Sequence, residues 1–520
     1  MAGEGVQLSL EMLLESNLEK FGEYPMLFFR NQQFTNIETR EIANQFAGGL
    51  RNRGIKKGDR VMVILPNCPE VVFSYQGINR AGAIIVPVMF TLHPKEIHYI
   101  IANSGVKAII TSSPIIGKVR AALKDIQNPP LLITVDHQDE KSDALSFYEL
   151  LATEYQEDIN PSINPSENDK AVILYTSGTT GSPKGVELTH KNLSSNAENS
   201  AKHNESERGT TLGVLPLAHV YGLTVTNICM LLGGSIVIFP NFDVKEIFAA
   251  IEKYKVKSFS AVPTMIHAML SYPDSDQYDT SSLENVSSGS APLPVVLLNA
   301  FQEKFKAKIL EGYGLSEAAP IVTAHNKNIE IKPGSVGVPI PGVEIRIVDE
   351  TGHELPVGEV GELIVRGDNV TPGYFNNPVE TRKILKDSWL YTGDMAKVDE
   401  EGYLYIVDRK KDLIIRGGFN LYPRDVEEVL NRHSAVLEVS VVGIPDERMG
   451  EEMVACVVKK PDDEVTEQEL ILYCQEHLAK NKTPRHVMFM DFLPRNGVGK
   501  ILKTHLRQKV REVISPLDQN

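Results

Sequence analysis

Short apolar segments alternate with helical segments through the first third of the chain, and this alternation constrains the fold more strongly than any other feature. Residues 36–53 have the apolar periodicity of a helix that ends before Gly54, and residues 69–81 predict a second helix. Apolar runs that predict strands lie at residues 60–65, 83–87, 108–111 and 131–135. Strands that alternate with helices are typical of a mixed, mostly parallel sheet with helices on its faces, so the sequence predicts an α/β fold.

The 520-residue chain is long enough for two to four domains. The alternation continues to about residue 330, and residues 331–408, which are rich in Gly and Pro, predict a β-rich subdomain. The remainder predicts helices at residues 423–431 and 466–478 and strands at residues 439–442 and 453–458. We therefore expect a large domain of mixed, mostly parallel sheets followed by a small α+β domain.

The composition excludes several classes of protein. A formal net charge of -15 argues against a nucleic-acid binder and against a polybasic membrane anchor. The N-terminus lacks the pattern of a secretory signal, and the longest apolar run, residues 228–239, is shorter than the roughly 20 residues of a membrane span. The cysteines, which form no CxxC pair, are Cys68, Cys229, Cys456 and Cys474. We expect a reduced, cytoplasmic protein with no integral membrane segment, and peripheral membrane association stays open.

A segment rich in Gly, Ser and Thr, YTSGTTGSPKGV at residues 175–186, follows an apolar run that predicts a buried strand. Its glycines let backbone N–H groups approach a ligand closely, its hydroxyls donate hydrogen bonds, and Lys184 adds a cation. The spacing is not that of a Walker A loop, because Pro183 stands where that motif requires Gly after Gly178. The segment predicts a site for the triphosphate of a nucleotide, and the structural alternative is a solvated polar loop.

The string TSGTTG-x-PKG resembles the phosphate-binding signature of the adenylate-forming superfamily, which includes acyl-CoA synthetases, nonribosomal adenylation domains and beetle luciferases. Further motifs that resemble those of the superfamily follow in order: LPLAHVYG at 215–222, SGSAPL at 288–293, EGYGLSE at 311–317, YTGD at 391–394, DRKKDLIIRGGF at 408–419 and LPRNGVGKILK at 493–503. Each motif alone has an ordinary structural explanation, such as a turn or a core histidine. Together they extend the resemblance from about residue 20 to residue 510. SGSAPL and EGYGLSE each follow a predicted strand, so we expect both to be loops at strand ends, where α/β sheets bind ligands.

The resemblance implies roles for individual residues. The residues implied for ATP or AMP binding are Thr176, Ser177, Gly178, Thr179, Thr180, Gly181, Lys184, Glu311, Gly312, Tyr313, Ser316, Asp394, Arg409 and Lys500. Those implied for the carboxylic acid substrate are His219, Tyr221, Ser290, Ala291, Gly314 and Pro320. Thr176 and Glu317 are implied as Mg²⁺ ligands, and Lys500, Lys184 and Glu317 as catalytic residues. Gly417 and Gly418 are implied for CoA. Lys411 is implied as the hinge between a large N-terminal domain over residues 1–410 and a mobile C-terminal domain over residues 411–520. Ser316 replaces the commoner Thr and keeps its hydroxyl.

The function implied by the resemblance is an ATP-dependent carboxylate–CoA ligase that forms an acyl-AMP intermediate and releases pyrophosphate and AMP. ATP, Mg²⁺ and CoA are the implied cofactors and co-substrates. The motifs between residues 215 and 269 look most like those of bacterial fatty-acyl-CoA synthetases, so a medium- or long-chain fatty acid is the preferred substrate. An aryl acid of the benzoate or cinnamate type is the runner-up. An acyl-AMP ligase that loads a carrier protein, a nucleotide-binding protein without catalysis, and a homodimeric state stay open.

Overall fold

The computed structural model describes residues 9–136, 143–152, 165–176, 183–461, 463–495 and 501–514. Within these ranges the α-helices are α1 (Leu10–Phe21), α2 (Asn36–Asn52), α3 (Pro69–Arg80), α4 (Pro94–Ser104), α5 (Ser113–Leu123), α6 (Phe147–Leu151), α7 (His190–His203), α8 (Val220–Leu232), α9 (Val244–Tyr254), α10 (Pro263–Ser271), α11 (Val295–Phe305), α12 (Pro378–Ile384), α13 (Pro423–Leu430), α14 (Glu467–His477) and α15 (Lys503–Ile514). Short 3₁₀ turns lie at Ser275–Gln277, Ser316–Ala318 and Lys480–Lys482.

The strands of the described residues up to residue 314 are β1 (Pro25–Phe29), β2 (Gln32–Thr35), β3 (Arg60–Val63), β4 (Ile84–Pro87), β5 (Ala108–Thr111), β6 (Leu131–Thr134), β7 (Leu145–Ser146), β8 (Lys170–Thr176), β9 (Lys184–Thr189), β10 (Thr210–Gly213), β11 (Ser235–Ile238), β12 (Ser258–Ala261), β13 (Asn285–Ser288) and β14 (Lys308–Gly314). Those that follow are β15 (Ile321–Ala324), β16 (Val338–Pro339), β17 (Val343–Val348), β18 (Gly361–Gly367), β19 (Gly373–Tyr374), β20 (Leu385–Lys386), β21 (Trp389–Val398), β22 (Leu404–Arg409), β23 (Ile414–Arg416), β24 (Phe419–Leu421), β25 (Val436–Asp446), β26 (Gly450–Lys459) and β27 (His486–Phe489). The predicted α/β fold class is confirmed. The helices and strands predicted near the N-terminus correspond to α2, α3 and β3 to β6.

The chain divides into two compact units, which are described separately. The larger unit comprises Met1–Ile345 and Val365–Leu390, and the smaller one comprises Arg346–Ile364 and Tyr391–Asn520. The domain boundary predicted at residue 410 stays a prediction. In the described part of the chain, no helix combines the length and apolar character needed to cross a membrane.

An eight-stranded sheet carries the Gly, Ser and Thr-rich motif of the larger unit. Its strand order is β19-β9-β8-β4-β3-β5-β6-β7. The strands from β8 to β7 run parallel, whereas β9 and β19 are antiparallel to their neighbours. Successive residues of β3 pack into different cores, Val61 and Val63 into one and Met62 into the other. Because both faces of the sheet are covered, its central strands are apolar throughout.

Two further sheets complete the larger unit's core. A four-stranded sheet has the order β10-β11-β1-β2, and a five-stranded sheet has the order β12-β13-β14-β15-β16. Strands β12, β13 and β14 are parallel, so their carboxyl ends lie at one edge. The expectation that EGYGLSE is a loop is wrong for its first half. Strand β14 continues through Gly314 because β15 returns antiparallel beside it and pairs with residues 312–314.

Residues 331–408 contain β16 to β22 and the short helix α12, as a β-rich segment would. In the smaller unit, β21 pairs antiparallel with β22, and a second sheet has the order β24-β23-β26-β25 with β27 beside β26. The long hairpin of β25 and β26 separates two cores, since Val441 packs into one and Val442 into the other. Helices α13 and α14 contribute to the first core and α15 to the second. The α+β character predicted for this region is present.

Candidate active site

Strands β8 and β9 form an antiparallel hairpin whose ends hold the first site residues. Thr176 is the last residue of β8 and lies opposite Lys184, the first residue of β9. The Thr176 hydroxyl donates to the Lys184 carbonyl at 3.5 Å. The hairpin therefore fixes a hydroxyl and a cation at neighbouring positions on the sheet. The predicted phosphate-binding residues between them, Ser177, Gly178, Thr179, Thr180 and Gly181, lie outside the described residues.

The side chain of Lys184 has two partners. Its ammonium donates to Oε2 of Glu380 at 2.5 Å and lies 5.2 Å from the centre of the Tyr374 ring. Both members of the ion pair are partly accessible, with side chains 26% and 25% exposed. The ammoniums of Lys184 and Lys383, which both donate to Glu380, lower the pKa of its carboxyl to about 2. Lys184 is therefore held by an ionised carboxylate at neutral pH.

Tyr374 and Glu380 are brought to the hairpin by a short segment much later in the chain. Strand β19 pairs antiparallel with β9, which places Tyr374 opposite Val186. The buried Thr371 hydroxyl donates to the Glu187 carbonyl and accepts from the Gly373 N–H, and so fixes the start of that strand. Helix α12 then begins at Pro378, where the side chain of Asn377 accepts from the backbone N–H of Glu380. An Asn cap followed by Pro is a strong helix start, and it sets the position from which Glu380 reaches Lys184.

Glu317 lies in the same group of side chains. The Tyr374 hydroxyl donates to its Oε1 at 2.8 Å. Burial and the adjacent Glu317 carboxylate raise the pKa of Tyr374, so the phenol stays a donor at neutral pH. The turn that carries Glu317 is tied to the segment before β19, since Thr371 N–H donates to the Glu317 carbonyl and Asn369 to that of Ala318. Lys184, Tyr374 and Glu317 thus form one connected cluster.

Other residues predicted for nucleotide binding lie along β14. Gly312 and Tyr313 face β15, opposite Ala324 and Thr323. The buried Glu311 carboxylate accepts from the backbone N–H of Leu293 at 3.4 Å, which ties β14 to the SGSAPL segment. Ser316 opens the short turn that carries Glu317.

The backbone of Pro320 lies close against Gly314. A Cβ atom added at Gly314 would lie 2.2 Å from the Pro320 carbonyl oxygen, and the Leu315 N–H donates to that same oxygen at 3.0 Å. This close approach, rather than a positive φ, is what requires glycine at position 314. Pro320, which like Gly314 is predicted to bind the carboxylic acid, is buried.

The residues predicted for the carboxylic acid surround helix α8 and the end of β13. His219 caps α8, with Nδ1 accepting from Tyr221 N–H at 3.2 Å, and burial lowers the pKa of the imidazole to about 4. The Tyr221 hydroxyl accepts from Ser260 in β12 at 3.2 Å. Ser290 and Ala291 are exposed, and Ser290 has a φ of +70°. The His219 imidazole is therefore neutral at physiological pH.

A small cavity of apolar character lies beside α8. It is bounded by α8, by strands β10, β11 and β12 and by the segment after β10, and its lining includes Leu212, Leu215, Leu217, Val225, Ile236 and Ser260. Ser260 also contacts Tyr221, so the cavity adjoins the predicted substrate residues. The lining offers no cation for a second carboxylate, and the cavity volume of about 10 Å³ has room for no more than a water molecule.

In the smaller unit, Asp394 and Arg409 lie opposite each other on β21 and β22. Arg409 Nε is 3.5 Å from Oδ1 of the buried Asp394. A carboxylate accepts at both oxygens, so Asp394 has the chemistry to bind two hydroxyl groups. Lys411 is exposed in the connection between β22 and β23. Lys500 lies outside the described residues.

Gly417 and Gly418 form the two-residue turn between β23 and β24, with φ values of +58° and +82°. Two consecutive positive φ values define a tight hairpin turn that favours glycine at both positions. The Gly417 N–H donates to the Met449 carbonyl at 2.8 Å, and no atom lies within 4 Å of a Cβ added at Gly418. The turn is thus an open backbone surface beside the exposed Phe419.

Comparison with known proteins identifies the family. The model of the AMP-binding enzyme family matches residues 14–375, and that of the AMP-binding enzyme C-terminal domain matches residues 425–500. The chain belongs to the AMP-binding enzyme family. It is 38% identical to a long-chain-fatty-acid–CoA ligase of Bacillus subtilis, over 97% of this chain and 95% of that protein. It is 35% identical to a 4-coumarate–CoA ligase 1 of Solanum tuberosum, over 98% and 95%. An ATP-bound MatB from Rhodopseudomonas palustris has a TM-score of 0.89 at 29% identity, over 97% and 100%.

The cluster in this AMP-binding enzyme fits a hard divalent cation. Among the described residues, no group of three or more His, Cys, Asp or Glu side chains has the spacing of a metal site. Mg²⁺ does not need such a cage, because it binds through one or two carboxylates together with phosphate oxygens and water. Glu317, already oriented by Tyr374, and the Thr176 hydroxyl supply oxygen donors of that kind. The residues present therefore suit the ion.

Tyr374 and Glu380 were not predicted from the sequence of this family member. Both lie in the segment TPGYFNNPVET at residues 371–381, close to the end of the matched AMP-binding region. The signal that could have directed attention there is the Asn377–Pro378 helix start with Glu380 in the first turn. That signal locates a helix but says nothing about which strand the helix approaches.

Proposed function

We propose that this protein is an ATP-dependent acyl-CoA ligase that activates a long-chain fatty acid. The observation that carries the proposal is the cluster of Lys184, Tyr374 and Glu317, which joins the lysine that we assign to the phosphates to an oriented carboxylate. The fatty-acid ligase relative supports a hydrocarbon substrate. Domain division at residue 410, with Lys411 as hinge, is part of the proposal.

The first half-reaction joins the fatty acid to AMP. A carboxylate oxygen attacks the α-phosphorus of ATP, the bond to the β-phosphate breaks, and pyrophosphate leaves. Because two anions approach each other, the step requires cations that are already in place. Lys184 would bind the triphosphate and Lys500 the reacting carboxylate, while Asp394 would hold the ribose hydroxyls. Mg²⁺, when bound at Glu317 and Thr176, would supply additional charge stabilisation for the phosphates.

In the second half-reaction the CoA thiol attacks the acyl carbonyl carbon, the thiol proton is released, and AMP leaves. This step requires no charged side chain at the phosphates. Gly417 and Gly418 would let the thiol-bearing arm of CoA pass close to the backbone, since a side chain at Gly417 would meet Met449. His219, neutral at physiological pH, would border the acid without repelling or pairing with it.

AMP release tests the proposal when it is measured against a panel of acids with and without CoA. The panel contains saturated fatty acids from octanoate to stearate, together with benzoate and 4-coumarate. We expect CoA-dependent AMP release that is fastest with long-chain fatty acids. Preference for 4-coumarate would favour the aryl-CoA ligase that the second relative suggests. Acyl-AMP formation without any acyl-CoA product would favour a ligase that loads a carrier protein, and ATP binding without AMP release would refute enzymatic activation.

A further inference from the structure

The ion pair between Lys184 and Glu380 has a consequence for nucleotide binding. Glu380 approaches the same ammonium that would bind the triphosphate, at 2.5 Å. A carboxylate and a polyphosphate around one ammonium repel each other, because both are anions within a few ångströms. Glu380 also has a second cation, Lys383, one helical turn further along α12, which donates to its other carboxylate oxygen. Glu380 can therefore leave Lys184 without becoming unpaired.

We propose that Glu380 is an exchangeable counter-ion of Lys184, which the triphosphate of ATP displaces and which thereby sets the affinity for ATP. The inference rests on the proposed function, in which Lys184 binds the triphosphate. Glu380 touches no reacting atom and acts through Lys184 as a positioning residue. Its carboxylate holds the ammonium over the Tyr374 ring, next to the hydroxyl that orients Glu317. When the phosphates arrive, the ion pair between Glu380 and Lys184 breaks, and Glu380 stays paired with Lys383.

The test is isothermal titration of the full-length protein with ATP and, separately, with AMP in the presence of Mg²⁺. Glu380→Gln keeps the length of the side chain and the backbone N–H that Asn377 caps. A partly exposed ion pair contributes up to about 1 kcal/mol, which corresponds to roughly a fivefold change in a binding constant. We therefore expect Glu380→Gln to bind ATP roughly fivefold more tightly. AMP affinity should stay the same, because AMP lacks the phosphates that compete for Lys184.

Two further variants distinguish direct exchange at Lys184 from simple through-space repulsion between Glu380 and ATP. In a Lys184→Met background, Glu380→Gln should leave ATP affinity unchanged, because the ammonium for which the two anions compete is gone. A carboxylate that merely repelled ATP through space would still weaken binding in that background. Lys383→Gln should have the opposite effect and weaken ATP binding, because Lys184 is then the only one of these two cations left to pair with Glu380. Asp368→Asn is the matched charge control, because its partner is Lys191, and it should change ATP affinity little.

Weaker or unchanged ATP binding in Glu380→Gln, with an unchanged thermal midpoint, overturns the proposal, and so does an effect that persists without Lys184. If the wild-type protein binds ATP but forms no acyl-CoA, the proposed function fails while the counter-ion inference is still decided by the same titrations. If it binds no ATP, both fail.

Discussion

The hydroxyl of Tyr374 can be removed without disturbing its ring, and this makes Tyr374→Phe a sharp probe of the site. The hydroxyl donates to Glu317 Oε1 at 2.8 Å, whereas the ring contact with Lys184 depends on the aromatic face. Phenylalanine keeps that face. The substitution therefore removes one hydrogen bond to the carboxylate that we propose as a Mg²⁺ ligand and leaves the cation where it is.

The size of the effect follows from the geometry. A hydrogen bond to a charged acceptor contributes about 1.5–3 kcal/mol, and residues that orient a metal ligand typically change metal affinity by about 10- to 100-fold when they are replaced. Because the hydrogen bond has near-ideal length and Tyr374 is partly buried, we expect at least a tenfold rise in the Mg²⁺ concentration that gives half-maximal pyrophosphate release. The maximal rate at saturating Mg²⁺ should fall much less.

The assay is a Mg²⁺ titration of pyrophosphate release at fixed ATP and fatty acid. Tyr175→Phe is the matched control, because it removes a tyrosine hydroxyl that is bonded to Asn103 instead of Glu317. Glu317→Gln should already have lost most of the Mg²⁺ affinity, and adding Tyr374→Phe to it should change nothing more. An unchanged Mg²⁺ titration in Tyr374→Phe would refute the role that we assign to this hydrogen bond.

Three further predictions concern other parts of the molecule. Lys500→Ala should slow pyrophosphate release by on the order of 10²–10³-fold, while acyl-CoA formation from supplied acyl-AMP survives. Lys411→Pro should keep pyrophosphate release and lose acyl-CoA formation from acyl-AMP. Equal loss of both activities in Lys500→Ala would contradict two separate domain orientations. Gly314→Ala should lower the free energy of unfolding by about 1–3 kcal/mol, because its Cβ would meet the Pro320 carbonyl oxygen at 2.2 Å, and an unchanged thermal midpoint would contradict this. His219→Asn, which keeps a capping side chain, should lose less stability than the wild type between pH 6.5 and pH 4 in denaturant titrations. The reason is that the wild-type imidazole, with its pKa of about 4, binds its proton more weakly in the folded than in the unfolded protein, so stability falls as pH falls through this window.

The sequence was sufficient to predict the family and the parallel sheet in the core of the larger unit. Strands such as β3 and β5 are short apolar runs between helices, and a strand covered on both faces has that pattern whatever its neighbours are. Lys184 could also be assigned a chemistry, because the residues around it in sequence belong to one recognisable motif. Membership of the AMP-binding enzyme family is confirmed, and the role of Lys184 stays a prediction.

The contacts of Lys184 could not be predicted in the same way. Glu380 lies 196 positions away along the chain, and the strand that brings its segment to β9 is only two residues long. Two residues carry no periodicity, so the pairing is decided by tertiary contacts such as the Thr371 hydrogen bonds. Gly314 shows the same limit, since its requirement for glycine comes from Pro320, just before the returning strand β15, and not from its own φ.

The charges of the described cluster have a consequence for how the protein binds a polyphosphate. Lys184 and Lys383 are matched by Glu380 and Glu317, so this group of side chains carries no net positive charge. Because this group is neutral and the whole chain has a net charge of -15, binding of a polyphosphate requires further cations. We propose that Mg²⁺ and Lys500 supply them. Neutrality also means that Lys184→Ala alone leaves the site negative. Replacing Glu380 with Gln in the same chain removes that surplus charge. If Glu380 acts by direct exchange with Lys184, as we propose, the double variant should bind ATP no more tightly than Lys184→Ala, and tighter binding would refute the exchange.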